Sequence, residues 1–241
     1  HRIPVWTCTQ GHFTVPAPRQ SDDPRRCGEC GEPVAQDPDT LDTWFTSCLW
    51  PFGIQGWPDE GQLASAKAAK WYPTSVLVTG WDILFFWVSR MIMMGLHYTG
   101  EPPFRTVVLN SLVADPEGKK MSKSKGNVID PLELFDKFGT DASRFALARL
   151  ETLRETIRVP EERVEYGRNF MNKLWNAARF TLGELEGFTP TATAPEKLSV
   201  ADKWILGQAR FAVNAATRHL GQYEFSPYAM FMENFVWHEF C

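Results

Sequence analysis

An α/β domain, with a small cysteine-bearing module ahead of it and an all-α region behind it, is the fold class this sequence predicts on three observations. Val76-Leu77-Val78-Thr79-Gly80 is a short β-prone run closed by glycine, and an apolar helical stretch follows from Asp82 to about His97. Strand, turn, helix is the order of an α/β unit. Residues 1–40 hold three of the five cysteines and six prolines with little apolar periodicity, which suits a loop-rich module that needs a staple rather than a core. Beyond about Thr140 no strand signal returns, and the apolar spacing becomes helical.

The remaining elements follow in order. Arg105-Thr106-Val107-Val108-Leu109-Asn110-Ser111-Leu112-Val113 is dominated by β-branched and aliphatic residues and predicts a second buried strand. Two strands around one crossover helix imply a parallel pair. Asp115-Pro116-Glu117-Gly118 then turns the chain. At Asp130-Pro131-Leu132-Glu133 a helix starts, with Asp as cap, Pro at the first helical position and Glu as the reciprocal capping partner. Amphipathic segments are expected at about 141–153, 161–184 and 199–221, and a fourth from Ser226-Pro227. Gly187 to Pro195 is a Pro/Thr/Ala connector of a length that joins antiparallel helices.

Composition sets outer bounds. With 241 residues, 44% hydrophobic and 22% charged, the chain is an ordinary globular sequence, not a disordered, collagenous or coiled-coil one. A formal charge of −4 gives no whole-chain attraction to nucleic acid, so any such contact must be local. Ile83 to Leu96 is too short to span a bilayer and carries Ser89 and Arg90, so it reads as a buried helix and no membrane association is expected. No charged-then-apolar leader precedes a small-residue cleavage site, which makes the cytoplasm the expected location. The start at His1 and the apolar run Phe235 to Cys241 at the other end suggest a fragment of a longer protein.

Two segments carry chemistry. Cys27-x2-Cys30 supplies half of a tetrahedral zinc site, and Cys8 with His12 can supply the rest; free thiols are the alternative. Cys48 and Cys241 sit in apolar surroundings and read as buried thiols. Gly118-Lys119-Lys120-Met121-Ser122-Lys123-Ser124-Lys125-Gly126-Asn127 places four lysines in seven positions, a density no core accommodates. Its ammonium groups, hydroxyls and N–H groups can converge on a polyanion such as a triphosphate. As pyrophosphate leaves, lysines aimed at the developing charge lower the barrier. A solvated basic loop is the alternative.

Lys120-Met121-Ser122-Lys123-Ser124 resembles the second signature of the class I aminoacyl-tRNA synthetases, and the flanks Leu112-Val113-Ala114-Asp115 and Lys125-Gly126-Asn127 are similar to that family too. Asp42 to Ser47 and Gly80 to Met91 resemble the valyl members rather than the isoleucyl or leucyl ones, and Arg168 to Ala177 with Trp237 to Cys241 resemble the start of their anticodon-binding helical domain. The resemblance implies a zinc-type module at 1–40, the second half of a class I Rossmann-like nucleotide-binding domain at 41–150, and a truncated helical domain at 151–241. It implies that Gly80 and Asp82 contact the ATP ribose, with Asp82 also capping its helix, and that strand-end backbone at Leu112 and Val113 holds the adenine. Lys123, assisted by Lys120 and Ser122, would act on the phosphates. Trp44, Ile83 and Trp87 would wall an apolar pocket for valine; aromatics four apart on an apolar helix are otherwise core.

The implied partners are ATP with its Mg2+, valine and tRNA(Val), in a monomeric parent enzyme with structural Zn2+. Arg144, Arg149, Arg154, Arg158, Arg163, Arg168, Lys173 and Arg179 recur through the first tail helices among glutamates. Mixed signs of that kind usually form a solvated face, and by resemblance some of these arginines would contact tRNA phosphates. The family's first signature, His-x-Gly-His, is absent from these residues, so the isolated chain is expected to be inactive. An isoleucyl-type enzyme and a non-catalytic tRNA-binding relative are the rival readings.

Overall fold

The computed structural model describes residues 1–16, 23–115, 117–121, 126–152, 154–189 and 197–241. These fall into two compact units, His1–Leu77 with Asp82–Val107, and Val78–Trp81 with Val108–Cys241.

The first unit opens with an antiparallel sheet in which β1 (Trp6–Cys8) lies between β2 (Phe13–Thr14) and β3 (Val34–Gln36), pairing Trp6 with Thr14 and Cys8 with Val34. Buried Trp6 is the one large apolar side chain this small sheet encloses. Three helices follow: α1 (Thr43–Ser47), α2 (Trp50–Gly53) and α3 (Glu60–Ala68). The Asp59 carboxylate caps α3 by accepting from the Gly61 and Gln62 N–H groups. Phe52, Leu63, Ala66 and Tyr72 form one apolar cluster. The Tyr72 hydroxyl is hydrogen-bonded to Thr99 Oγ1 at 2.8 Å, so its burial leaves no phenol unpaired.

Strand β4 (Thr74–Gly80) pairs with β5 (Phe104–Asn110), as the two β-prone runs predict. Between them the expected single helix is three pieces: a 3-10 turn at Trp81–Ile83, a π-helical stretch at Leu84–Ser89 and α4 (Arg90–Thr99). Asp82 lies inside the 3-10 turn, and the residues at the N-caps of the two later pieces, Ile83 and Ser89, make no side-chain cap. Nor is the segment buried throughout. Val88, Met91 and Gly95 are buried, whereas Phe85 is 74% and Met93 66% exposed, because only one face packs on the cluster of Cys48, Val88, Met91 and Phe104.

In the second unit the expected long strand is broken at Ser111 into β5 and β6 (Leu112–Ala114). Buried Ser111 is turned away from strand pairing: its Oγ lies 2.7 Å from the carbonyls of Thr152 and Arg154, and its N–H donates to Glu151 Oε1 at 3.0 Å. A strand does return past Thr140. Strand β7 (Thr156–Arg158) runs parallel to β6, with Leu112 opposite Thr156 and Ala114 opposite Arg158. Three residues among arginines and glutamates give no readable period; the partner strand makes this one.

The rest is helical, as expected. Asp130 caps α5 (Pro131–Phe138) by accepting from the Leu132 N–H, and α5 and α6 (Thr140–Leu150) pack on α7 (Glu161–Glu184) through Phe138 of α5, Ala142 and Ala146 of α6 and Val164 of α7. A capping box of Ser199 and Asp202 starts α8 (Val200–Gly221), and α9 (Phe225–Asn234) leads into a π-helical end at Phe235–Phe240. The connector at 190–196 lies outside the described residues. Cys241 is exposed rather than buried, since it follows the last helical residue; Cys48 is buried as expected. No described helix is long and apolar enough to cross a membrane.

One buried charge ties α6, α7 and α9. Glu233 is 6% exposed and accepts from Arg149 Nε at 2.6 Å and from the Tyr166 hydroxyl. Tyr166 and Phe170 stack against Trp237. Arg149 is thereby committed to the interior of the bundle. Removing Glu233 strands the guanidinium, so Glu233→Ala should destabilise this chain by about 3 kcal/mol in urea unfolding followed by tryptophan fluorescence. A change below about 0.5 kcal/mol would show that the pair does not hold the bundle.

Candidate functional site

The lysine-rich loop leaves the end of β6 through a tight turn. The Gly118 N–H donates to the Asp115 carbonyl at 2.8 Å, the Asp115 N–H donates to the Lys119 carbonyl at 3.0 Å, and Ala114 bridges Lys120. Gly118 holds φ at +82°, a conformation that favours glycine, and a Cβ there would displace the Arg158 guanidinium 2.6 Å away, the mobile end of a long side chain. Asp115, predicted only as a turn residue, is 4% exposed. Its Oδ1 accepts from the Lys119 N–H at 2.6 Å and its Oδ2 from Asn127 Nδ2 at 2.7 Å. Those donors, the Asn127 amide first, hold its pKa below the ordinary 3.8. Lys120 is exposed, and its carbonyl lies 3.4 Å from Asn127 Nδ2. Ser122 and Lys123 lie outside the described residues. Leu112 and Val113 sit in the parallel ladder, where the Leu112 N–H donates to the Glu155 carbonyl at 2.9 Å.

Gly80 closes β4, and Asp82 and Ile83 belong to the 3-10 turn that follows. Trp44, in α1, and Trp87, in the π-helical stretch, are both half-buried and belong to elements that touch. Trp44 stacks on Phe86 at 6.1 Å, and Trp87 Nε1 donates to the Ser47 carbonyl at 3.1 Å. Asp42 does two jobs: Oδ1 accepts from the Trp44 N–H, and Oδ2 pairs with Arg90 Nη1 at 3.0 Å. Arg90 in turn lies over the Phe86 ring. Ile83 is half-buried. A π-helical insertion shifts the register of the side chains around it and is a frequent mark of a functional segment.

The four residues proposed as metal ligands do meet. One ligand atom each from Cys8, His12, Cys27 and Cys30 all lie within 4.8 Å of one another. Cys8 comes from the end of β1 and His12 follows the Cys8–Gly11 turn; Cys27 and Cys30 come from a second turn in which the Gly31 N–H donates to the Cys27 carbonyl. Cys30 Sγ is 3.7 Å from Cys8 Sγ, and Cys27 Sγ is 3.8 Å from His12 Nδ1. Four ligands at Zn–S distances of about 2.3 Å stand about 3.8 Å apart along a tetrahedron edge. The donor set and its spacing therefore fit zinc. His12 Nε2 lies 3.7 Å from the Glu29 carboxylate, on the side where an acidic group orients a ligating imidazole. Backbone N–H groups of Cys30 and Glu29 favour the Cys27 thiolate and bring its pKa from 9.0 to about 6, ready for a metal that binds thiolate. For Cys30 the Glu32 N–H pulls the value down, but burial and the adjoining Cys27 and Cys8 thiols outweigh it and the pKa rises.

Comparison with known proteins gives concordant matches. Residues 19–159 match the family described as tRNA synthetases class I (I, L, M and V). Proteins named valine–tRNA ligase are similar over the whole chain: 49% identical in Geobacter sulfurreducens, 49% in Symbiobacterium thermophilum and 48% in Gluconobacter oxydans. The chain spans 26–27% of the length of these relatives. A solved LeuRS–tRNA–LeuAMS ternary complex from Agrobacterium radiobacter contains a similar fold, with a TM-score of 0.78 at 22% identity over 98% of this chain and 34% of that one.

The metal cluster makes a direct prediction. Protein purified without chelator should carry about one zinc per chain, and Cys27→Ser should reduce that to a small fraction, as read by elemental analysis. Equal zinc content in the two proteins would show that the cluster is not the site.

Proposed function

The chain belongs to the class I tRNA synthetases (I, L, M and V), and from that premise we propose that it is the segment of a valine–tRNA ligase that carries the phosphate loop and the valine pocket. The observation that carries the proposal is similarity to valine–tRNA ligases over every part of the chain, the lysine loop included. In this reading residues 41–150 are the second half of a Rossmann-like nucleotide-binding domain, residues 1–40 a zinc module and residues 151–241 the start of the anticodon-binding bundle. The whole enzyme is a cytoplasmic monomer that takes valine, ATP with Mg2+, and tRNA(Val).

The reaction is acyl activation followed by transfer. A valine carboxylate oxygen attacks the α-phosphorus of ATP and pyrophosphate leaves; a hydroxyl of the tRNA's 3′-terminal ribose then attacks the valyl carbonyl, the bond to the phosphate oxygen breaks and AMP leaves. Negative charge grows on the departing pyrophosphate, which is where ammonium groups act best. Lys123 and Lys120 take that role, with the Ser122 hydroxyl as a further donor. Gly80 lets the backbone approach the ribose and Asp82 accepts from its hydroxyls, while the Leu112 and Val113 backbone holds the adenine.

Trp44, Ile83 and Trp87 enclose the valine side chain. Such a wall measures size, and it cannot strongly reject threonine, which fills the same volume with a hydroxyl in place of a methyl. Zinc at Cys8, His12, Cys27 and Cys30 supplies folding energy to a module that encloses little apolar surface.

A lysine that acts on the leaving group should affect turnover more than binding. In the full-length protein, Lys123→Ala is expected to lower kcat for valine-dependent ATP–pyrophosphate exchange about 100-fold or more, with KM for valine within about threefold of the parent value. An unchanged kcat would remove Lys123 from the reaction.

A further inference from the structure

We propose that Asp115 and Asn127 form a clamp that closes the base of the lysine-rich loop and positions Lys119 and Lys120 for the phosphates; the inference rests on the reading above. The two lie twelve positions apart and flank the whole basic segment. Both carboxylate oxygens of Asp115 are taken up by the loop's own donors, Oδ1 by the Lys119 N–H at 2.6 Å and Oδ2 by Asn127 Nδ2 at 2.7 Å. The same Asn127 amide nitrogen is 3.4 Å from the Lys120 carbonyl, so one side chain touches the outgoing and returning ends of the loop. On the outgoing side the Asp115 N–H, the Gly118 N–H and the Ala114–Lys120 bridge fix the backbone as well.

The choice of side chains has a physical reason. Four lysines in seven positions repel one another, and ends held only by turns would spread. A buried carboxylate with two N–H donors makes charge-assisted hydrogen bonds, the strongest short links available to close such a base. A buried acid at the foot of a phosphate-binding loop would otherwise oppose its ligand, yet this one spends both oxygens on the loop. Asp115 and Asn127 are therefore positioning residues that act through the lysines.

The clamp makes separable predictions for the full-length protein. In Asp115→Asn and Asn127→Ala the backbone amides of Lys119 to Met121 should exchange with deuterium about 10- to 100-fold faster, the range that a lost hydrogen bond to a charged group spans. Valine-dependent ATP–pyrophosphate exchange should lose a similar factor in kcat with KM for valine nearly unchanged. The double variant Asp115→Asn/Asn127→Asp reverses donor and acceptor across the pair and should recover part of both. Unchanged amide exchange in folded single variants, equal losses in kcat and affinity for valine, or no recovery in the double variant would each overturn the clamp. If the parent protein shows no amino-acid-dependent exchange at all, the functional reading fails while amide exchange still decides whether the clamp exists.

Discussion

Four lysines that cannot be buried must be held by their surroundings, and much of the second unit is arranged around that constraint. Strand β6 delivers the chain to the loop, and its register is set by the parallel pairing with β7. Ser111, pinned to Glu151, Thr152 and Arg154, separates β5 from β6 and fixes where β6 begins. Asp115 then receives both ends of the loop. Each step is a polar interaction of a buried or half-buried group; the Ser111, Leu112 and Asp115–Asn127 contacts reach residues 12 to 43 positions away, and the Asp115–Lys119 bond spans four. The two ends of the loop are thus fixed by turn bonds of their own and by a side chain twelve positions away.

The first unit solves a different problem: orienting two tryptophans without burying them. Trp44 and Trp87 are both half-buried, and what orients them is a short chain of contacts: Asp42 to Arg90, Arg90 over Phe86, Phe86 against Trp44, and Trp87 to the Ser47 carbonyl. The π-helical stretch Leu84–Ser89 puts Phe86 and Trp87 into these contacts while Val88 still reaches the core. The cysteine module uses neither device. Its sheet is three short strands around Trp6, with three thiols and an imidazole clustered within 4.8 Å of one another beside it.

What the sequence makes legible is what depends on local pattern. The strand ending at Gly80, read from Val76 on, the helix at 161–184, the cap at Asp130 and the clustering of Cys8, His12, Cys27 and Cys30 can all be read from spacing and composition. What it hides depends on partners far along the chain. Strand β7 exists because β6 is beside it, and Arg149 is an interior ion-pair residue because Glu233 arrives from α9, although it looks like one more surface arginine in its own helix. Asp115 is signalled only as the start of an Asp-Pro-Glu-Gly turn, and nothing local to it predicts that Asn127 will close on it. Breaks in the helix after β4 are equally silent, since the apolar run from Ile83 to Leu96 carries no proline and no turn cluster where the breaks fall.

The central claim is that this chain serves the activation of valine. Its most direct test is ATP–pyrophosphate exchange by the full-length protein with valine, isoleucine, leucine and threonine in parallel. Strong stimulation by valine with weaker stimulation by threonine is the predicted result, because a wall of two tryptophans and an isoleucine measures volume and not polarity. Preference for isoleucine or leucine would contradict the pocket assignment, and no exchange with any of the four would contradict the enzyme itself.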